Sequence, residues 1–117
     1  MMFDPSHASD GDVARTPLDL TLCLDDEVVI IEIDGEVDHQ TCEILRRVID
    51  GVLATGIDSL VLDCSSLTFL DSGGIGVLGE LLRDTDARDG TVTVRNASAL
   101  TRQLLAVTGY DARVAIT

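Results

Sequence analysis

The 117-residue chain has no lysine, and histidine, cysteine and long apolar runs are scarce. With 21 acidic residues against 8 arginines its formal net charge is −13. Such a surface repels phosphate backbones and anionic lipid, so neither nucleic acid nor a membrane surface is an expected partner. A basic protein surface suits it better. The same charge is also what a salty cytoplasm, a need for solubility or a GC-rich genome poor in lysine codons would produce. His7 and His39 are its imidazoles, too few to build a zinc cluster, and no metal or cofactor is expected. Cys23, Cys42 and Cys64 are far apart, odd in number and outside any C-x-x-C pair, which reads as three buried, reduced thiols. No apolar run approaches the roughly 20 residues that span a bilayer. The N-terminus, "MMFDPSHASDGDVARTP", has neither the basic start nor the apolar core of a signal peptide, so the expected compartment is the cytoplasm.

What is present reads as one α/β domain. Residues 1–16 are polar and aperiodic, a flexible acidic tail, and the folded domain spans 17–117. In "LDLTLCL", Leu18, Leu20, Leu22 and Leu24 alternate with Asp19, Thr21 and Cys23, giving a strand with one buried face. "DDE" turns the chain into "VVIIEID", and the two strands form an antiparallel hairpin ending at Gly35. From Asp38, placed as N-cap, a helix carries Leu45, Val48, Ile49, Val52 and Leu53 on one side and stops at Gly56. "SLVLDC" is a central strand, "TVTVR" another, and "ARVAI" an edge strand. Between the last two a helix begins near Asn96 or Ser98, points Leu100, Leu104 and Val107 inward and ends at Gly109. The order ββαβαβαβ implies a mixed sheet, an N-terminal hairpin followed by right-handed βα repeats, with helices packed on it.

The junction "LTFLDSGGIGVLGEL" poses the functional question. Ile75, Leu78, Leu81 and Leu82 mark a helix, yet Gly73, Gly74, Gly76 and Gly79 crowd its first turns, at a cost of roughly 2 to 4 kcal/mol against alanine. Gly74-Ile75-Gly76-Val77-Leu78-Gly79 is a literal G-x-G-x-x-G string. However, the acidic residue expected about 20 positions on is missing, and too little chain follows for a second mononucleotide half. A P-loop fails because Glu80 stands where lysine must be, and a hydrolase elbow fails because Leu70 occupies its first glycine position. The remaining candidate is Ser72. Next to Asp71 at the helix N-terminus, a phosphate on its hydroxyl would be tolerated by the helix dipole and by unpaired amides. Glycines around it would let another protein approach closely. On the alternative reading, Asp71 and Ser72 merely cap the helix and the glycines merely let it pack on the sheet.

"GEVDHQT", "SLVLDCSSLTFLDSGGIGVL" and "NASALTRQLLAVTGY" together resemble the STAS domain family, specifically bacterial anti-sigma factor antagonists, over residues 18–116. "LDSGGIGVL" is similar to that family's D-S-[ST]-G-[LI]-G block. The resemblance implies a STAS-like fold without catalytic activity that takes part in transcription regulation under stress. Its expected partners are a kinase-type anti-sigma factor, which phosphorylates Ser72, and a serine phosphatase, which resets it. Unphosphorylated, the antagonist binds the anti-sigma factor and frees the sigma factor. Asp38, Asp71, Ser72, Gly73 and Gly74 fall on the partner-facing surface, and the chain is expected to be a monomer or weak dimer. Gly73 departs from the family's usual serine or threonine. The alternatives are a STAS scaffold or regulatory subunit in another signalling or transporter complex, with Ser72 unmodified, and a small nucleotide-binding or hydrolytic protein using the glycine-rich turn.

Overall fold

In a computed structural model of the chain, residues 18–117 are described; the expected acidic tail over 1–16 lies outside them. They form a five-stranded mixed sheet with helices against it, in the order β1 (Leu18–Asp25), β2 (Val28–Val37), α1 (Cys42–Ala54), β3 (Ser59–Leu70), α2 (Ser72–Asp86), β4 (Thr91–Arg95), α3 (Ala99–Thr108) and β5 (Ala115–Ile116). The spatial strand order is β1-β2-β3-β4-β5, with β1 antiparallel to β2 and the later neighbours parallel. Because each parallel strand is laid beside the last, right-handed crossovers put the helices on one face. That face carries Val29, Ile31, Ile33, Leu60, Leu62, Val92 and Val94, all buried, with Leu45, Ile49, Val77, Leu81, Leu82 and Leu105 from the helices completing the core.

The hairpin, the central strand and the βα repeats agree with the sequence pattern, but several details differ. β2 and β3 run on past Gly35 and Cys64 to Val37 and Leu70, because register shifts between Glu32 and Asp34 and between Gly35 and Glu36 let their ladder continue. This extension is what delivers Val37 and Leu70, cross-strand partners, to the start of the candidate site.

On β1, Leu18 is buried, but Leu22 and Leu24 are 47% and 63% exposed, because β1 is an edge strand and an open groove separates its far end from α1. In α3 the inward residues are Thr101 and Leu105; Leu100 and Val107 face outward and Leu104 is half-buried. Ser98, whose side chain accepts from the Thr101 amide, starts the helix where expected, but the stripe that faces the sheet lies one residue further on. The cysteines also separate: Cys23 is exposed, Cys42 half-buried, and Cys64 alone among them buried. Burial, reinforced by the neighbouring Asp63 charge, pushes the Cys64 thiol up to about 11, so it stays protonated and inert.

Candidate functional site

The site is built where two parallel strands end side by side. After Val37 the chain turns through Asp38–Thr41 into α1, and after Leu70 it turns through Asp71 into α2. Asp38 does not cap α1, as the sequence suggested. Its Oδ1 accepts from the amides of Gln40 and Thr41, both at 2.9 Å, and from the Thr41 hydroxyl, closing a turn one residue ahead of the helix. The buried Thr41 is the residue that precedes α1, and its Oγ1 also donates to the Glu36 carbonyl at 2.7 Å. The Thr41 amide is the foremost of several donors that hold the Asp38 carboxyl below its usual range.

Asp71 is the N-cap of α2. Its Oδ1 accepts from the Gly73 amide at 2.8 Å and the Gly74 amide at 3.4 Å, while Oδ2 accepts from the His39 amide at 3.2 Å. The His39 imidazole Nδ1 lies 3.6 Å from the same oxygen. Partial desolvation pushes the Asp71 carboxyl up, but the amide donors of Gly73, Gly74 and His39 outweigh it and the group ends below its usual range. One carboxylate therefore ties the turn before α1 to the first turn of α2.

Ser72 is the first residue of α2, exposed, and its side chain has no hydrogen bond among the described residues. The expectation that its hydroxyl sits over unpaired amides needs correction: those of Gly73 and Gly74 are occupied by Asp71. A phosphate at Ser72 would find the helix dipole but few free donors, with the Asp71 charge beside it.

The glycines of α2 divide by cause. A methyl group on Gly73 would stand 2.8 Å from His39 Cα, and one on Gly74 would stand 2.3 Å from Leu70 Cδ1 and 2.8 Å from Val37 Cγ1. On Gly79 it would meet the Tyr110 hydroxyl at 2.4 Å. Gly73 and Gly74 also meet backbone, of His39 and Val37, and are needed by the chain's own packing, whereas at Gly79 only the end of the Tyr110 side chain would have to move; part of the puzzle is thus answered without a partner. Gly76 differs: it is exposed and a methyl group there would touch nothing. It lies one turn from Ser72 on the same side of α2. Sequence reading missed the role of His39, whose backbone covers Gly73 and whose amide reaches Asp71; the pairing is long-range and has no local signature.

Among the described residues no group of three or more His, Cys, Asp or Glu side chains is placed to hold a metal ion. No helix of the described residues is long and apolar enough to cross a membrane.

The fold that carries this site, a mixed sheet with an N-terminal antiparallel hairpin followed by parallel strands and helices, is that of a known class. Residues 20–116 match the family model described as "Mlab, STAS domain", and the chain belongs to the STAS domain family. Its similarity within that family is to anti-sigma factor antagonists. An anti-sigma F factor antagonist of Lysinibacillus sphaericus is 29% identical over 84 residues, 71% of this chain and 72% of the relative. The crystal structure of an anti-sigma factor antagonist from Mycobacterium paratuberculosis superposes with a TM-score of 0.76 at 26% identity, covering 85% of this chain and 84% of that one. The Bacillus cell fate determinant SpoIIAA in its phosphorylated form superposes with a TM-score of 0.69 at 25% identity, over 86% of this chain and 90% of that one.

Proposed function

We propose that this chain is a cytoplasmic anti-sigma factor antagonist acting as a phosphorylation-controlled binding module, not as an enzyme. In the unphosphorylated state it binds a kinase-type anti-sigma factor and releases the sigma factor. That kinase then phosphorylates it: Ser72 Oγ attacks the γ-phosphorus of ATP, the β–γ bridging P–O bond breaks, ADP leaves and the hydroxyl proton passes to a base on the kinase. A serine phosphatase restores the hydroxyl. The observation that carries this reading is the Ser72 hydroxyl on the first residue of α2, exposed and without a hydrogen bond among the described residues. The likeness to a relative solved in a phosphorylated form supports it.

The partner-facing surface in this reading comprises Asp38, Asp71 and Ser72, with Gly73 and Gly74 shaping the turn beneath them. Gly76 extends it, since a partner's close approach gives a reason for a glycine that the chain's own packing does not require. Two unit charges about 4 Å apart interact by roughly 4 kcal/mol at an effective dielectric near 20. Solvent and salt reduce this at an exposed site to about 1 kcal/mol or less per charge pair, and the nearly two charges of a phosphate then supply up to about 2 kcal/mol, on the order of tenfold in affinity. One phosphate is enough without refolding. The test is incubation with candidate kinase-type anti-sigma factors and ATP, followed by phosphosite mapping. Phosphate at Ser72 is expected; modification only elsewhere, or none with any such kinase, contradicts the assignment.

In a second reading the domain is a scaffold or regulatory subunit of another complex and Ser72 is an unmodified contact, which membership of the STAS domain family equally allows. A stable complex with permease components whose affinity is indifferent to phosphate at Ser72 would support it.

A further inference from the structure

The two edges of the sheet are unlike. β5 ends one side with only two residues, Ala115–Ile116, too short to template another strand. β1 ends the other side with eight, LDLTLCLD, holding an unshifted register with β2 from Asp25–Val28 to Leu18–Gly35. Natural edge strands are blunted by lysine, proline, a bulge or brevity. β1 has no lysine, proline or bulge, its two charges, Asp19 and Asp25, stand toward its ends and leave Leu20–Leu24 uncharged, and among the described residues its outer edge is unpaired. Its exposed leucines, Leu22 and Leu24, border an open apolar groove against α1 that includes Val48, Gly51 and Ile57. Ile44, one turn before Val48, is 46% exposed.

We propose that β1 is a self-association edge, pairing antiparallel with β1 of a second copy about a two-fold axis at Cys23 so that the two sheets become continuous. The two exposed leucines, which can cover each other only in a self-complementary pairing, point to a second copy, and the charge pattern selects its register. Pairing centred on Leu22 would set Asp19 opposite Asp25 of the other copy, like charges that oppose each other across the ladder. Centring on Thr21 sets Leu24 against Leu18, which is already buried in its own domain. Centring on Cys23 sets Leu22 against Leu24 twice over, so the two exposed leucines of each copy cover those of the other. Thr21 then faces Asp25, and Asp19 and Glu27 fall outside the paired segment. Both copies contribute the same patch, as a two-fold interface requires.

The edge and its leucines offer less than the roughly 800 Å² per partner of a stable specific interface, so association is weak and concentration-dependent. The net charge of −13 on each copy opposes it until salt screens that charge.

The experiment combines sedimentation velocity and cross-linking on the full chain. A shift from monomer to dimer is expected between about 10 μM and 1 mM, stronger at about 1 M NaCl, where the screening length is near 3 Å. In a Cys42→Ser background, diamide should join Cys23 to Cys23 of the second copy, taking up the two protons and two electrons released as the S–S bond forms. The double variant Leu22→Lys, Leu24→Lys should lose both dimer and cross-link while keeping its circular dichroism; the milder Leu24→Lys alone serves if the double variant unfolds. A monomer at every concentration and salt overturns the proposal. So does a cross-link that survives the lysine variants, or one formed faster from Thr21→Cys, Cys23→Ser protein than from Cys23.

Discussion

The amide of His39 donates to Asp71 Oδ2 at 3.2 Å, so the turn that leads into α1 is held by the same carboxylate that caps α2. The start of α2, the turn before α1 and the position of Ser72 are thus tied to one side chain. Asp71→Ala should lower the melting temperature by several degrees, as loss of an N-cap does. Because it also releases the His39 turn, amide hydrogen exchange at His39 as well as Gly73 should rise. Protection retained at His39 would show that the turn does not need Asp71.

The glycines of α2 should respond with opposite signs to the same change. Gly76→Ala adds a methyl group into open space and gains helix propensity, so urea denaturation should show stabilisation of up to about 1 kcal/mol. Gly73→Ala brings a methyl group to 2.8 Å from His39 Cα, a backbone atom that cannot move alone, and should destabilise by about 1 to 3 kcal/mol. Partner binding should weaken in Gly76→Ala despite its greater stability.

Leu105 is fully buried and Leu100 is 64% exposed. Leu105→Ala should cost about 2 to 5 kcal/mol in equilibrium unfolding. Leu100→Ala should stay within about 0.5 kcal/mol, the usual range for surface changes. A reversed order would mean that α3 is rotated to the stripe read from the sequence.

Much of the fold was legible because it rests on local periodicity. The alternating leucines of β1, the continuous apolar run of "SLVLDC" and the stripe of α1 each identify their element within a few residues. What was not legible depends on distant partners. Leu22 and Leu24 share the pattern of Leu18, and only the placement of β1 at the edge leaves them uncovered. In α3 four apolar residues, Leu100, Leu104, Leu105 and Val107, and a threonine compete for the inward face, and packing against the sheet buries Thr101 and Leu105. At the site, Asp71 and Ser72 were legible as a helix start. The occupation of the Gly73 and Gly74 amides, and the His39 backbone above Gly73, come from long-range geometry and were not.

Stability should fall on the acid side. The Ser65 amide, followed by the side chains of Ser65, Asn96 and Arg95, outweighs desolvation at Asp63 and brings its pKa from 3.8 to about 2; the Arg95 contact is at 3.1 Å. Asp38 and Asp71 are depressed too. A carboxyl depressed in the fold stabilises it above its unfolded pKa, and that contribution is lost as pH falls through the folded value. Urea midpoints should therefore be level with respect to these groups above about pH 5 and decline from about pH 4 toward 2. Asp63→Asn should flatten part of that decline; an unchanged slope would remove Asp63 from the account.

The central claim is that the state of one exposed hydroxyl decides whether the partner stays bound. Its most direct measurement is calorimetric titration of a kinase-type anti-sigma factor with the unmodified protein and with the same protein homogeneously phosphorylated at Ser72. Binding weakened by at least about tenfold, with superimposable circular dichroism spectra of the two forms, is the predicted result. Equal affinities for the two forms would contradict it.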